Sequence, residues 1–436
     1  MPDRRAPQAN SLARSSPALI VRMSAMMFLQ YWPLGLWGVT VGTYIAANTG
    51  DQGAGIFSAG FVGYSTAAGA IGSLLAPVVV GFLSDRYFSA QYLVAVMHVG
   101  CALAAWGMYQ CDTQVSFFLW LLAYFHCFVP AGTLTNKIAL RHLADVDSEY
   151  PRVRIFGTVG WISAGLFLGF VWPLITGRSI EATRLPLMLG SCANAVMAVF
   201  ALSLPSTPPE RRDQELSTRP FRDSGALLNN RPLVVFLFVS MLACIPSMAY
   251  NNYGNLFLNH HAYPRPAALM TLGQISDLLV LYSTPWLIAR FGLRTLFIGG
   301  VLAWGVRYGM LAAGSYYQIA WPVYAAILIH GPCYVFVYVI GVMYVDRLSD
   351  PGHRGAAQGM LAFASFGLGH LFGALTVGLS QEMFLTPEGV SPPPYHWTAF
   401  WIVPGSVSFA ALLVFKVAFK PVRTQTPMHP GLVSDG

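Results

Sequence analysis

The stretch PRVRIFGTVGWI places a cation, a hydroxyl and an indole on one side of a helix. Arg154, Thr158 and Trp161 stand at i, i+4 and i+7, the spacing at which helical side chains share a face. Together they could bind a polar solute that carries a flat ring. The alternative is that Arg154 extends along apolar surface to water while Trp161 sits at an interface.

A second pair of polar side chains lies in the apolar stretch GQISDLL. Gln274 and Asp277 stand at i and i+3, so they also share a helix face. A carboxyl in apolar surroundings can hold a proton or accept a hydrogen bond from a hydroxylated solute. The alternative is a structural ion pair with Arg307, an equally isolated charge in a later apolar run.

Two further stretches carry polar groups at helical spacing. YNNYGNLFL contains three amides, which could bind a solute or bond between helices; they are Asn251, Asn252 and Asn255. HGPCYVFVY contains three ring side chains on one face; they are His330, Tyr334 and Tyr338. A Gly-Pro break often flanks a binding site, although a ring stripe at this spacing is also typical of packing.

The elements that must position these groups are membrane helices. The chain is 55% hydrophobic and only 10% charged, whereas soluble domains carry roughly 25% charged residues. It contains about twelve apolar runs of the roughly 20 residues that a spanning helix needs. Alternation of the kind that builds barrels is absent. The sequence therefore predicts an all-α integral membrane protein with about twelve transmembrane helices.

A polar linker divides these helices into six and six. It is rich in Pro, Arg, Asp and Ser, and a charged turn follows the second span of each half, as duplicated transporter halves would show. The prediction comprises two tails, two six-helix bundles and the linker; these are 1–23 (cytoplasmic N-terminal tail), 24–204 (first bundle), 205–231 (cytoplasmic linker), 232–419 (second bundle) and 420–436 (cytoplasmic C-terminal tail).

Arginine and lysine residues fall mainly before the first span, in the even-numbered connections and after the last span. Because translocated short loops avoid these residues, we expect both termini in the cytoplasm and the chain in the cytoplasmic membrane of a bacterium. This asymmetry accounts for most of the net charge of +7. A nucleic-acid partner is therefore not needed to explain the charge.

The turn GFLSDRYFSAQ after the second span resembles the loop signature of the major facilitator superfamily, with Gly81, Asp85 and Arg86 at its positions. Gly81 would allow close helix approach, and Asp85 could cap or pair across a helix end when the bundle closes on that side. The alternative is a generic hydrophilic turn.

Signatures of soluble enzymes are absent from the sequence. It has no G-x-S-x-G, no H-E-x-x-H and no Walker loop, and its six cysteines include no C-x-x-C pair. We expect no enzyme activity, no cofactor, no metal site and no disulfide framework. The expected partners are a solute, a proton and the lipid bilayer, with the chain acting as a monomer.

As a whole, the sequence resembles the bacterial nucleoside:proton symporter family of the major facilitator superfamily. The resemblance is carried by FLQYWPLGLWGVTVGTY, RIFGTVGW, NNYGNLFL, GQISD and RGAAQGM, in this order along most of the chain. It implies two six-helix bundles around a central cavity that opens alternately to each side. The function it implies is import of nucleosides by proton symport.

The resemblance also implies a nucleoside pocket, whose residues here are Arg154, Thr158, Trp161, Asn251, Gln274, Asp277 and Tyr334. Three positions depart from the family's pattern: Met248 replaces a glutamine, His330 a tyrosine and Val335 an acid. Asp277 would then be the main carboxyl for proton coupling; the alternative is that coupling has been lost and the chain is a facilitative transporter.

Two other functions remain open from the sequence. The changes at Met248 and Val335 favour a transporter of the same fold for a sugar or another polar solute. A membrane receptor or enzyme subunit that transports nothing is the other possibility, and the lack of a sizeable soluble domain argues against it.

Overall fold

The computed structural model describes residues 14–209, 227–349, 353–385 and 395–419. The described residues are mostly helical, and their one isolated β-bridge joins Thr49 to Phe57 in a loop. The predicted C-terminal tail, residues 1–13 of the N-terminal tail and residues 210–226 of the linker lie outside the described residues.

The described residues group into twelve helical segments, and eight of their helices are long and apolar enough to cross a membrane, in agreement with the predicted all-α membrane fold. In the first half these are α1 (Pro17–Gly38, continued by Val41–Ala46), α2 (Phe61–Ser65 and Ala67–Arg86), α3 (Ala90–Gln110), α4 (Gln114–His142), α5 (Val146–Leu166, Phe167–Val171 and Trp172–Thr176) and α6 (Leu185–Ala201). In the second half they are α7 (Arg231–His260), α8 and α9 (together Pro266–Tyr317), α10 (Ala320–Leu328, His330–Tyr334, Val335–Val339 and Ile340–Leu348), α11 (Arg354–Ala362, Phe363–Gly369 and His370–Phe384) and α12 (Trp397–Ala418).

Local capping sets where the first helix begins. The Oγ of Ser16 accepts the backbone N–H of Leu19 at 3.3 Å, and Pro17 occupies the first helical position, where a missing N–H costs nothing. The helix therefore begins before residue 24, where the apolar pattern alone starts the first span. The start of this helix is therefore set by the N-cap residue Ser16 in the polar segment and not by the start of the apolar run.

A single glycine joins α8 (266–291) to α9 (293–317). Gly292 has φ 73° and ψ 158°, a conformation that only glycine adopts readily. Asp277 precedes this turn and Arg307 follows it by the same number of residues. At a rise of 1.5 Å per residue, both charges lie about 22 Å from the turn and thus at the same depth.

The two halves pack against each other through small residues on one side. We call the side at which α1 begins and α12 ends the terminal side, and the other the far side. In the far-side part of the bundle a Cβ on Gly63 of α2 would overlap the backbone of Gly378 in α11. A Cβ on Gly165 of α5 would come within 2.6 Å of the Cγ2 of Thr271 in α8. Closure of the halves therefore depends on glycine at these contacts.

Candidate functional site

A central cavity of about 490 Å³ lies between the halves. Helices α1, α2, α4 and α5 line it from the first half, and α7, α8, α10 and α11 from the second. All seven pocket residues predicted from the sequence line it; these are Arg154, Thr158, Trp161, Asn251, Gln274, Asp277 and Tyr334. The volume is within the usual range of small-molecule sites, roughly 300 to 1,000 Å³.

Arg154 faces the cavity from α5 and is held by a tyrosine of α1. Its Nη2 donates to the hydroxyl of Tyr31 at 3.1 Å, and its guanidinium carbon lies 4.7 Å from the centre of the Tyr31 ring. The guanidinium of Arg154 thus lies at the cavity wall, as a role in binding requires. Thr158 and Trp161 are half-buried along the same wall, so α5 offers a cation, a hydroxyl and an indole to one space.

The amides of α7 separate into two groups. Asn251 and Asn252 line the cavity, and the Nδ2 of Asn252 donates to the backbone carbonyl of Met248 at 2.7 Å. Asn255 lies further toward the far side, where its Oδ1 accepts the Thr43 hydroxyl of α1 at 2.6 Å. Only the first group can contact a solute in the cavity, whereas Asn255 joins the two halves.

Asp277 of α8 is connected to Arg307 of α9 through His330 of α10. The Nε2 of His330 lies 3.5 Å from the Oδ2 of Asp277, and its Nδ1 lies 2.7 Å from Nη1 of Arg307. The predicted alternative of an ion pair between Asp277 and Arg307 is thus replaced by a chain of three groups. Gln274 lies on the same face of α8, and its Oε1 has no hydrogen-bond partner among the described residues.

The ring stripe of α10 is divided between cavity and packing. Tyr334 is 40% exposed and lines the cavity, stacked on His330 with ring centres 5.9 Å apart. Tyr338 lies one turn further, donates to the Ser247 hydroxyl at 2.9 Å and stacks on a phenylalanine of α11. A π-helical turn begins at Val335, directly after Tyr334. Such turns are frequent at functional sites.

The residues predicted for a turn after the second span, Gly81, Asp85 and Arg86, instead lie in the last turns of α2. The Oδ1 of Asp85 lies 2.6 Å from the Nζ of Lys137 in α4, and the guanidinium of Arg86 lies 5.0 Å from the centre of the Phe82 ring. Among the described residues, a Cβ on Gly81 would meet no atom within 4 Å. The expected close helix approach at Gly81 is therefore wrong for this conformation.

A buried carboxylate joins the halves on the far side. Glu181, in the connection between α5 and α6, is 2% exposed. Its Oε2 accepts the side-chain amides of Asn255 and Asn259 at 2.7 and 3.1 Å, and its Oε1 accepts the backbone N–H of Ala267 at 3.3 Å. The sequence gives no signal for this residue, because an acid in a short polar loop is ordinary.

The sequence also does not distinguish several aromatic residues of the cavity wall. They are Tyr31, Trp37, Phe125, Phe128 and Tyr250. Each lies in an apolar run, where hydropathy does not distinguish a residue that faces the cavity from one that faces lipid. In the described part of the chain, no group of three His, Cys, Asp or Glu residues is placed to hold a metal ion.

Comparison with known proteins assigns the chain to a family. The family model described as "Nucleoside H+ symporter" matches residues 18–424. The chain is 33% identical over 403 residues to the putative nucleoside transporter YegT of Escherichia coli, covering 91% of this chain and 93% of that protein. It is 25% identical over 436 residues to the nucleoside permease NupG of the same organism, covering 94% and 100%.

Solved structures agree on the fold. The crystal structure of the nucleoside transporter NupG superposes with a TM-score of 0.81 at 24% identity, covering 93% of this chain and all of that one. A D-xylose–proton symporter superposes with a TM-score of 0.67 at 15% identity, covering 93% and 97%. The chain is thus a multi-pass membrane transporter and not an enzyme, and it belongs to the nucleoside H+ symporter family.

Proposed function

We propose that the central cavity is the site at which this symporter binds its nucleoside. The observation that carries the proposal is that seven polar and aromatic residues from four helices line one cavity. Aromatic faces such as that of Trp161 stack a base, and such stacking contributes about 1 to 3 kcal/mol per base. The amides, the Thr158 hydroxyl and the Asp277 carboxyl pair with base edges and ribose hydroxyls.

Asp277 is the proton carrier in this proposal. Its carboxyl lines the cavity, and its Oδ1 is buried without a hydrogen-bond partner among the described residues. A carboxyl in the interior of a membrane protein is costly to keep ionised and is typical of ion and proton paths. Because the cavity also holds the nucleoside, binding of the proton and of the substrate can be coupled there.

Transport proceeds by alternating access between the two six-helix halves. The glycine contacts and the Glu181 cluster join the halves on the far side, so this conformation exchanges solute on the terminal side. The arginine and lysine distribution supports a cytoplasmic terminal side, with both termini in the cytoplasm. Import therefore requires the far side to open in another state. In this proposal one chain carries out the whole cycle as a monomer.

Uptake into proteoliposomes tests the proposal. Labelled uridine and adenosine should accumulate against a gradient when the outside is acidic, and an uncoupler should abolish the accumulation. Asp277→Asn should lose uphill accumulation while retaining exchange of labelled for unlabelled nucleoside. Asp112→Asn, which removes an 83% exposed carboxyl outside the cavity, is the matched control.

Two outcomes would contradict the proposal. Uphill uptake by Asp277→Asn equal to that of the wild type would remove Asp277 from the coupling step. Competition by simple sugars in place of nucleosides would support the alternative of a sugar transporter, which Met248 favours because its side chain, unlike that of a glutamine, offers no amide to a solute in the cavity.

A further inference from the structure

Arg307 is a completely buried cation beside the cavity wall. It is 0% exposed, and the carbon of its guanidinium lies 3.3 Å from the centre of the Tyr250 ring. Its Nη1 contacts His330, whereas its Nε and Nη2 have no hydrogen-bond partner among the described residues. A buried charge with so few partners needs an opposite charge nearby, and Asp277 is the carboxylate at the same depth.

The two neighbours of His330 determine which ring nitrogen carries its hydrogen. A guanidinium only donates hydrogen bonds, so Nδ1 of His330, at 2.7 Å from Nη1 of Arg307, must accept. The hydrogen of the neutral ring is then on Nε2, which faces Oδ2 of Asp277 at 3.5 Å. His330 is therefore a neutral connection between a cation and a carboxylate.

We propose that Arg307 and His330 are positioning residues that set the pH at which Asp277 takes up its proton. This inference rests on the proposed function, in which Asp277 is the carrier. The positive charge of Arg307 favours the ionised carboxylate, and the Nε2–H of His330 faces Oδ2 of Asp277 at 3.5 Å. The proton binds at Oδ1, which has no partner among the described residues, so His330 keeps its hydrogen throughout.

The proton balance of the cycle follows from these contacts. Protonation of Oδ1 neutralises Asp277 and leaves the charge of Arg307 without its counter-charge. Loss of the proton to the other side restores the neutral pair. Without Arg307, the carboxyl would keep its proton to a higher pH, because nothing positive would favour the ionised form at that site.

The remaining ionisable groups near Asp277 do not replace Arg307. Tyr250 of α7 and Cys333 and Tyr334 of α10 carry side chains that are ordinarily neutral at pH 7. Arg154 of α5 and His370 of α11 also line the cavity, but their contacts are with Tyr31 and Tyr338 and not with Asp277. Helix α10 thus places His330 beside Asp277. At the position where the resembled family has an acid, the same helix has the buried Val335.

The pH dependence of initial uptake tests the inference, with nucleoside exchange measured in parallel. In Arg307→Gln and His330→Leu the midpoint of the alkaline fall should move to higher pH, on the order of one pH unit for Arg307→Gln. Arg307→Lys keeps the charge and should keep the midpoint. In His330→Gln the side-chain oxygen accepts from Arg307 and the amino group donates to Asp277, so the midpoint should also stay.

A wild-type midpoint in both Arg307→Gln and His330→Leu would overturn the inference. If these two variants lose exchange altogether, the inference is tested with the conservative variants Arg307→Lys and His330→Gln. A midpoint displaced by a pH unit in Arg307→Lys would equally overturn the inference. Asp277→Asn separates the two proposals. Uncoupler-sensitive accumulation in that variant refutes the carrier role, whereas its loss together with an unshifted Arg307→Gln midpoint refutes only the present inference.

Discussion

Removal of the Glu181 charge should open the far side of the transporter. In the structure this carboxylate accepts two side-chain amides of α7 and one backbone N–H of α8. In Glu181→Gln one accepting oxygen is replaced by an amino group. This group faces an N–H donor in a buried site, so neither has an acceptor there. Because these bonds join the first half to the second, their loss destabilises the closed state specifically.

The size of the effect can be worked out from the bonds lost. A hydrogen bond to a charged group contributes about 1.5 to 3 kcal/mol. Loss of one such bond, with the remaining donors poorly matched, should cost about 2 to 3 kcal/mol. Since 1.4 kcal/mol corresponds to a factor of ten, the ratio of closed to open far side should fall about 30- to 150-fold.

Distances between spin labels on the far side measure this ratio. Labels at Asp51 in the first half and Pro264 in the second are both on exposed loops, and the native cysteines are replaced beforehand. The wild type should show mainly the short distance, whereas Glu181→Gln should show a large fraction of a longer one. Asp112→Asn, a loss of charge on the same side that breaks no contact between the halves, should match the wild type. An unchanged distribution in Glu181→Gln would refute the reasoning.

Two further predictions concern the cavity and the glycine contacts. Trp161→Ala should weaken nucleoside binding by about 1 to 3 kcal/mol if a base stacks there. Trp172→Ala is the control, because Trp172 lies in the same helix α5 but outside the cavity lining, and its dissociation constant should be unchanged. Equal affinities of Trp161→Ala and the wild type in calorimetry would assign Trp161 to packing. Gly63→Ala should raise the long-distance population in the spin-label experiment, because its Cβ would overlap Gly378. Gly309→Ala, at a helical glycine with open space around it, is the control, and equal populations in both variants would contradict the role of that contact.

The candidate site was largely predictable because helical spacing decides which side chains share a face. Arg154, Thr158 and Trp161 lie on one wall of the cavity as their spacing predicts. That α5, α7, α8 and α10 line one cavity is predicted only by the family resemblance. Spacing along one helix carries no information about which other helix it faces.

The groups that the sequence did not reveal depend on contacts between distant segments. His330 was noted as a ring on α10, but its position between Asp277 and Arg307 depends on the rotation of three helices. Glu181 was not singled out because its partners lie more than 70 positions later in the chain. In both cases the relevant energy comes from burial of a charge, which becomes visible only once the neighbours are placed.

The single-glycine turn between α8 and α9 has an electrical consequence. Asp277 and Arg307 lie at equal distances from Gly292, so any tilt or shift of this hairpin carries both through the same part of the transmembrane potential. With the carboxylate ionised, such a shift moves no net charge and the voltage does no work on the pair. With the proton bound, it moves one positive charge, and 100 mV contributes about 2.3 kcal/mol for a full crossing. The membrane voltage therefore does work on the Asp277–Arg307 pair only when Asp277 carries its proton.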